Sequence, residues 1–196
     1  DKVCHLMEME ISDLVQQMNE RQKRIQRLSE AQEQQIAEDL VLLLVTVCVL
    51  NRWTFTDIIT TYKLSEPECI RKLVQLDTLR IIELLPANRI KLLIAPNFSW
   101  RERGPIQRFF REKIGQEYFK TKFKGDDEHL LVLNGMLSKP SNGEFQRKMQ
   151  RLAQEFNELN NEDAALPISD RHGVTLVLAM RKWKYGLFQP LMRHAP

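Results

Sequence analysis

Glycine is scarce in this chain, seven in 196 residues, and none are gathered into the tight loop that cradles phosphates. No G-x-S-x-G elbow raises a serine nucleophile. Asp170 and His172 lie close together, but no nucleophile pairs with them in a familiar spacing. The residues therefore do not describe an enzyme. Cysteine is also rare: Cys4, Cys48 and Cys69 are odd in number and far apart, and the last two fall in apolar helical patterns. That usage fits reduced, buried thiols in a cytoplasmic protein. His5, His129, His172 and His194 are scattered singly, whereas a zinc site needs ligands at short spacing, so neither a metal nor a cofactor is expected. Long apolar runs are missing as well. The longest, "LVLLLVTVCVL" at 40–50, has eleven residues, and about twenty are needed to cross a bilayer. It reads as a buried core helix, with no leader-like segment ahead of it and no membrane as partner. The net charge of +3 does not by itself call for a nucleic acid. There is no internal repeat and no low-complexity tract.

What is present is a series of helix starts. Ser29 with Gln32, Ser65 with Glu68, and Ser141 with Glu144 fit the capping box, in which a hydroxyl accepts an amide and the later side chain returns a bond. Thr54 with Asp57 is a looser version. Joined to the apolar period, these starts predict helices over 29–51, 54–62 and 65–79. A strand at 81–85, a turn at 86–89 ("PANR") and a strand at 90–95 follow. Residues 1–28 read as a helical segment broken near Glu10, with a stripe of Ile11, Leu14, Val15 and Met18. Beyond Pro96, Pro105 suits the first turn of a helix whose apolar face is Ile106, Phe109, Phe110, Ile114 and Tyr118. Apolar runs at 129–137 and 174–180 read as buried strands. Between them lies a periodic helix carrying Phe145, Met149, Leu152, Phe156 and Leu159 on one side, as in a right-handed βαβ crossover. The expected fold is α+β and mainly α: a helical remnant over 1–28, a winged helix-turn-helix over 29–96, and a small α/β regulatory or dimerisation unit over 97–196.

The winged-helix reading sets the candidate contacts. In the 65–79 helix, Cys69, Leu73 and Leu76 form the inward row, and Glu68, Arg71, Lys72, Gln75 and Thr78 point outward. Arg71, Lys72 and Gln75 are candidates for phosphates or base edges, with Arg89 and Lys91 on the wing. Charge argues the other way. Residues 35–96 carry seven basic and seven acidic groups, and Glu66 and Glu68 stand at the end of the helix that would approach the groove. Residues 97–125 are net +5 with interleaved aromatics, which fits either base stacking or, more simply, an amphipathic helix with a solvated basic face. Arg171, Arg181, Lys182, Lys184 and Arg193 form a late basic group, either lining an anion pocket or on a strand's solvent face.

"VCHLMEMEISDLVQQM", residues 3–18, resembles the closing helices of a lambda-repressor/Cro-like domain of the Xre family. The run from "LVLLLVTVCVLNRWTFTDIITTYKLSEPECIRKLVQ" through "NFSWRERGPIQRFF", and then "GMLSKPSNGEFQRKMQRLAQEFNELNNEDAALP", is similar to the long C-terminal region of certain proteobacterial Xre-type regulators. The resemblance implies a bacterial transcription regulator. Its main DNA-reading domain would precede Asp1, and this chain would supply the regulatory or dimerisation part of a homodimer. The family's recognition helix has no counterpart here, so no contact residue carries over from it. An effector, small molecule or protein, is implied without being specified. The alternative is a protein–protein adaptor whose winged helix never touches DNA.

Overall fold

The structure, a computed structural model, describes residues 25–95, 98–182 and 186–191. Most of the helix expected over 1–28 lies outside these residues. Its end is not helical: Ile25 makes a parallel bridge to Ile94, with Ile25 N–H on Leu93 O (3.1 Å) and Ala95 N–H on Ile25 O (2.9 Å).

Eight elements organise the first two thirds of the described chain. Helix α1 is Glu30–Glu38, α2 Leu40–Leu50, α3 Phe55–Thr61 and α4 Glu66–Thr78. Strands β1 (Ile82–Leu85) and β2 (Arg89–Leu92) form an antiparallel hairpin with Ile82 opposite Leu92 and Leu85 opposite Arg89. After a loop come α5 (Pro105–Phe109) and α6 (Gly115–Tyr118), joined through a π-turn at Phe110–Ile114. A final long helix, α7, spans Lys139–Asp163. Among the described residues the chain is mainly helical with one small two-stranded sheet.

The single helix expected over 29–51 is two helices. Asp39 breaks it in extended conformation (φ −116°, ψ 102°), ends α1 and caps α2, its carboxylate accepting Leu42 N–H at 2.9 Å. An aspartate that both caps and breaks is invisible to a period count, because the apolar rows on its two sides remain nearly in phase. The capping boxes at Ser29/Gln32 and Thr54/Asp57 are formed. The box at Ser65/Glu68 is not: Ser65 makes no side-chain cap bond, and Pro67 in the first turn has no amide to satisfy. The N-cap of the last helix lies three residues before the expected one. Ser138, not Ser141, is the N-cap and accepts Ser141 N–H, because Pro140 is pre-set for the first turn.

The buried core runs from Leu28 to Ala95. Helix α2 threads it, with Leu42, Val45, Thr46, Cys48 and Val49 enclosed. Its one hydroxyl is satisfied within the helix, Thr46 Oγ1 donating to Leu42 O at 2.6 Å. Helix α4 lays the expected row Cys69, Leu73 and Leu76 against it, all fully buried. Each such leucine contributes about 1.5–3 kcal/mol by leaving water. The loop after the hairpin docks on the same core through Phe98 and Trp100, and α5 through Ile106 and Phe109. Glu33, fully buried, holds it there: its Oε1 accepts Arg101 N–H at 2.6 Å while Arg101 Nη1 reaches Leu28 O at 3.2 Å. Gly104 permits this approach, since a Cβ there would stand 2.5 Å from Glu33 Oε2.

The expected βαβ unit is not formed. Residues 129–137 and 174–180 pair in no sheet among the described residues. Leu133 is 83% and Met136 91% exposed. No residue of α7 is buried either. A continuous apolar run carries no period that separates a strand from other extended chain, and a parallel strand needs cover on both faces.

Candidate nucleic-acid interface

Helices α3 and α4 are joined by the short connection 62–65, and the β1–β2 hairpin follows α4 directly. The turn of that hairpin, Pro86–Asn88, places Ala87 and Asn88 in the left-handed region (φ 60° and 56°). Positions on the outer face of α4, such as Arg71, and on the hairpin, such as Arg89 and Lys91, are exposed.

The five expected contact residues do not stand there as a set. Arg71 is exposed on α4 and is open to a partner. Lys72 is not: its ammonium lies 2.6 Å from Asp39 Oδ2, with 18% of the side chain exposed. Gln75 is half-buried and its Oε1 is out of solvent with no hydrogen-bond partner, so that acceptor is not offered to a base. On the hairpin, Lys91 pairs with Glu83 at 3.0 Å, directly across the two strands. Arg89 is exposed, with Nε 3.4 Å from Pro86 O. Two of the four cations are therefore already neutralised by carboxylates of this chain.

The Asp39–Lys72 contact was not legible in the sequence, because the two residues are 33 positions apart and share no helix face. Burial alone would raise the Asp39 carboxyl, but the bonds from Lys72 and from the Leu42 amide, together with the charge of Lys72, hold it below its ordinary value of 3.8. The pair links the cap of α2 to the middle of α4.

The basic stretch 97–125 divides in two. Its first aromatics, Phe98, Trp100 and Phe109, pack on the core. The rest pack on one another: Tyr118 meets Phe110 at 5.6 Å, Phe119 at 5.0 Å and Phe123 at 5.9 Å, in edge-to-face geometry. These rings contact one another edge-to-face rather than standing as a stacked ladder, and Phe119 remains 53% exposed. Arg171 of the late basic group reaches back to the C-terminus of α2, where Nη1 donates to Asn51 O at 3.0 Å. A guanidinium there also offsets the negative end of the helix dipole. Lys184 and Arg193 lie outside the described residues.

Cys48 and Cys69 are buried free thiols, and Cys4 lies outside the described residues. No group of His, Cys, Asp or Glu converges as metal ligands would among the described residues. No helix among them is long and apolar enough to cross a membrane.

A scan against protein-family models, and searches of curated proteins and of solved structures, find no match to this chain.

Proposed function

We propose that this chain is the regulatory and dimerisation part of an Xre-like, DNA-binding transcriptional regulator, with a winged-helix module over 29–96. The observation that carries it is the order α2, α3, α4, hairpin on one shared core, with the outer face of α4 and the hairpin both on the surface. A short α3–α4 connection, an amphipathic second helix and a following hairpin are what a winged helix requires. The motifs at 3–18 and 97–110 that resemble Xre-type regulators support the same reading.

In this role the module is an accessory contact, and DNA is read chiefly by another part of the protein. Arg71 and Arg89 are the cations left to meet phosphates, because Lys72 and Lys91 are paired. Two phosphate contacts per subunit give position without sequence information. The second half of the chain then serves subunit pairing, and a ligand acting there would alter the distance between half-sites.

The test is a titration of the protein with duplex DNA at several salt concentrations. Binding should weaken linearly with log salt as counterions are released, and Arg71→Ala, by freeing one phosphate, should flatten that slope by about one unit. Full affinity and an unaltered slope in Arg71→Ala would remove α4 as a DNA-facing element.

The electrical neutrality of 35–96 and the two internal ion pairs favour a second reading, a protein–protein adaptor. An adaptor would bind no duplex even at low salt.

A further inference from the structure

Helix α7 is about 37 Å long at the standard rise, yet none of its residues is buried by the described chain, and its apolar side runs from half-buried at Met149 and Phe156 to exposed at the other positions. Phe145, Leu152 and Leu159 are 46%, 48% and 60% exposed. With Met149 and Phe156 they recur at intervals of four, three, four and three residues. That is the spacing of a coiled-coil seam over two heptads, narrower than the stripe of a helix packed on a globular core. The charges along the helix are segregated. The first half carries Lys139, Arg147, Lys148 and Arg151 against the single acid Glu144; the second carries Glu155, Glu158, Glu162 and Asp163 with no base. A helix basic at one end and acidic at the other is complementary to a second copy running the opposite way, and repels one running parallel.

We propose that α7 is a self-association surface that pairs antiparallel with α7 of a second copy of this chain. The register follows from the seam. Setting Met149 against Leu152 of the other copy places Phe145 against Phe156, and repeats both layers by the two-fold axis. It also brings Lys148 of each copy beside Glu155 of the other. Sliding by one heptad would instead oppose Glu155 to its own image and Phe145 to Asp163. Within one chain Lys148 pairs with Glu144 at 2.9 Å, but both side chains are more than half exposed. Such a pair is worth little, so the lysine is free to exchange partners. This pairing deepens the dimer expected of the regulator, and rests on that reading for its purpose but not for its measurement, which needs no DNA.

The full chain, at micromolar concentration in sedimentation equilibrium, is expected to be a dimer. Leu152→Glu places like charges in the seam and should weaken association at least about tenfold. Lys148→Glu should weaken it too, and Lys148→Glu with Glu155→Lys should restore it. In a Cys4→Ser background, a mixture of Phe145→Cys and Phe156→Cys chains should form the mixed disulfide in preference to either homodimer. A monomeric wild type overturns the proposal, as does a dimer indifferent to Leu152→Glu. Preferential homodimer disulfides would establish parallel pairing and overturn the antiparallel register. A monomer whose stripe is shielded by residues 1–24 of its own chain, seen as an intramolecular cross-link, would do the same. Salt-dependent DNA binding that survives any of these outcomes leaves the regulator reading intact. An α7 dimer that binds no duplex at any salt leaves the pairing and removes the regulator.

Discussion

Cys48 and its neighbours are expected to make the fold less stable as the pH rises. Burial pushes the Cys48 thiol up to about 11, and the adjacent Cys69 adds to the rise. Burial also raises Cys69, with Glu68 contributing, and raises Tyr62, with Cys48 contributing. A group whose folded pKa lies above its unfolded value contributes stability that is complete below the unfolded value. That contribution is lost as pH climbs through the folded one. From 9.0 to about 11 the Cys48 shift corresponds to a loss on the order of 2–3 kcal/mol. Urea midpoints should fall between pH 8 and pH 10.5, and fall less in Cys48→Ala; equal drops in both proteins would assign the effect elsewhere. At the acid side Asp39 works in the opposite sense. Its lowered pKa gives stability that is present above 3.8 and fades as the pH drops through the folded value. Asp39→Ala removes a helix cap and leaves Lys72 without its carboxylate, and should cost about 1–2 kcal/mol in chemical denaturation. A neutral result would show that the α2–α4 link is not structural.

The helices show which local rules could be read in advance. Caps at Ser29 and Thr54, and the inward row of α4, follow from spacing within four residues, so a sequence displays them. The ends are less visible. Helices α2 and α4 both finish with the same six-to-one bond, Trp53 N–H to Cys48 O and Ile81 N–H to Leu76 O, with Arg52 and Arg80 in the left-handed position usually given to glycine. In a chain so poor in glycine, arginines take that conformation, each just before a residue packed on the core, Trp53 and Ile81. Arg80→Gly should therefore stabilise the protein by about 0.5–1 kcal/mol, seen as a higher thermal midpoint; a decrease would mean the arginine side chain outweighs the backbone strain. Helix α7 gives the converse lesson. Its period was plain, but periodicity says that a face is apolar and not what covers it. At concentrations low enough to keep the chain monomeric, Phe156→Ala should change unfolding by less than about 0.5 kcal/mol. A loss of about 3–5 kcal/mol, the ordinary value for a core phenylalanine, would place that ring in the core after all.

At the scale of the molecule, the run of helices into a hairpin was legible where a boundary is punctuated locally, as at Ser29, Thr54 and the hairpin turn, but not at Asp39, which makes four helices of the expected three. The docking of 98–109 on the core was not, since it depends on Glu33 meeting Arg101 across 68 residues. The candidate interface was half legible for the same reason. Outward positions on α4 follow from the helical period, but their availability is decided by Asp39 and Glu83, which lie on other elements. On the proposed reading, the two open cations of the core position DNA-reading subunits rather than read sequence. The most direct test is selection of duplexes from a random pool by the protein, followed by sequencing. A paired regulator should enrich two related half-sites of dyad symmetry at one fixed spacing, near a whole number of helical turns. A pool that stays random, at a salt concentration low enough to retain phosphate contacts, would contradict DNA binding and leave the adaptor.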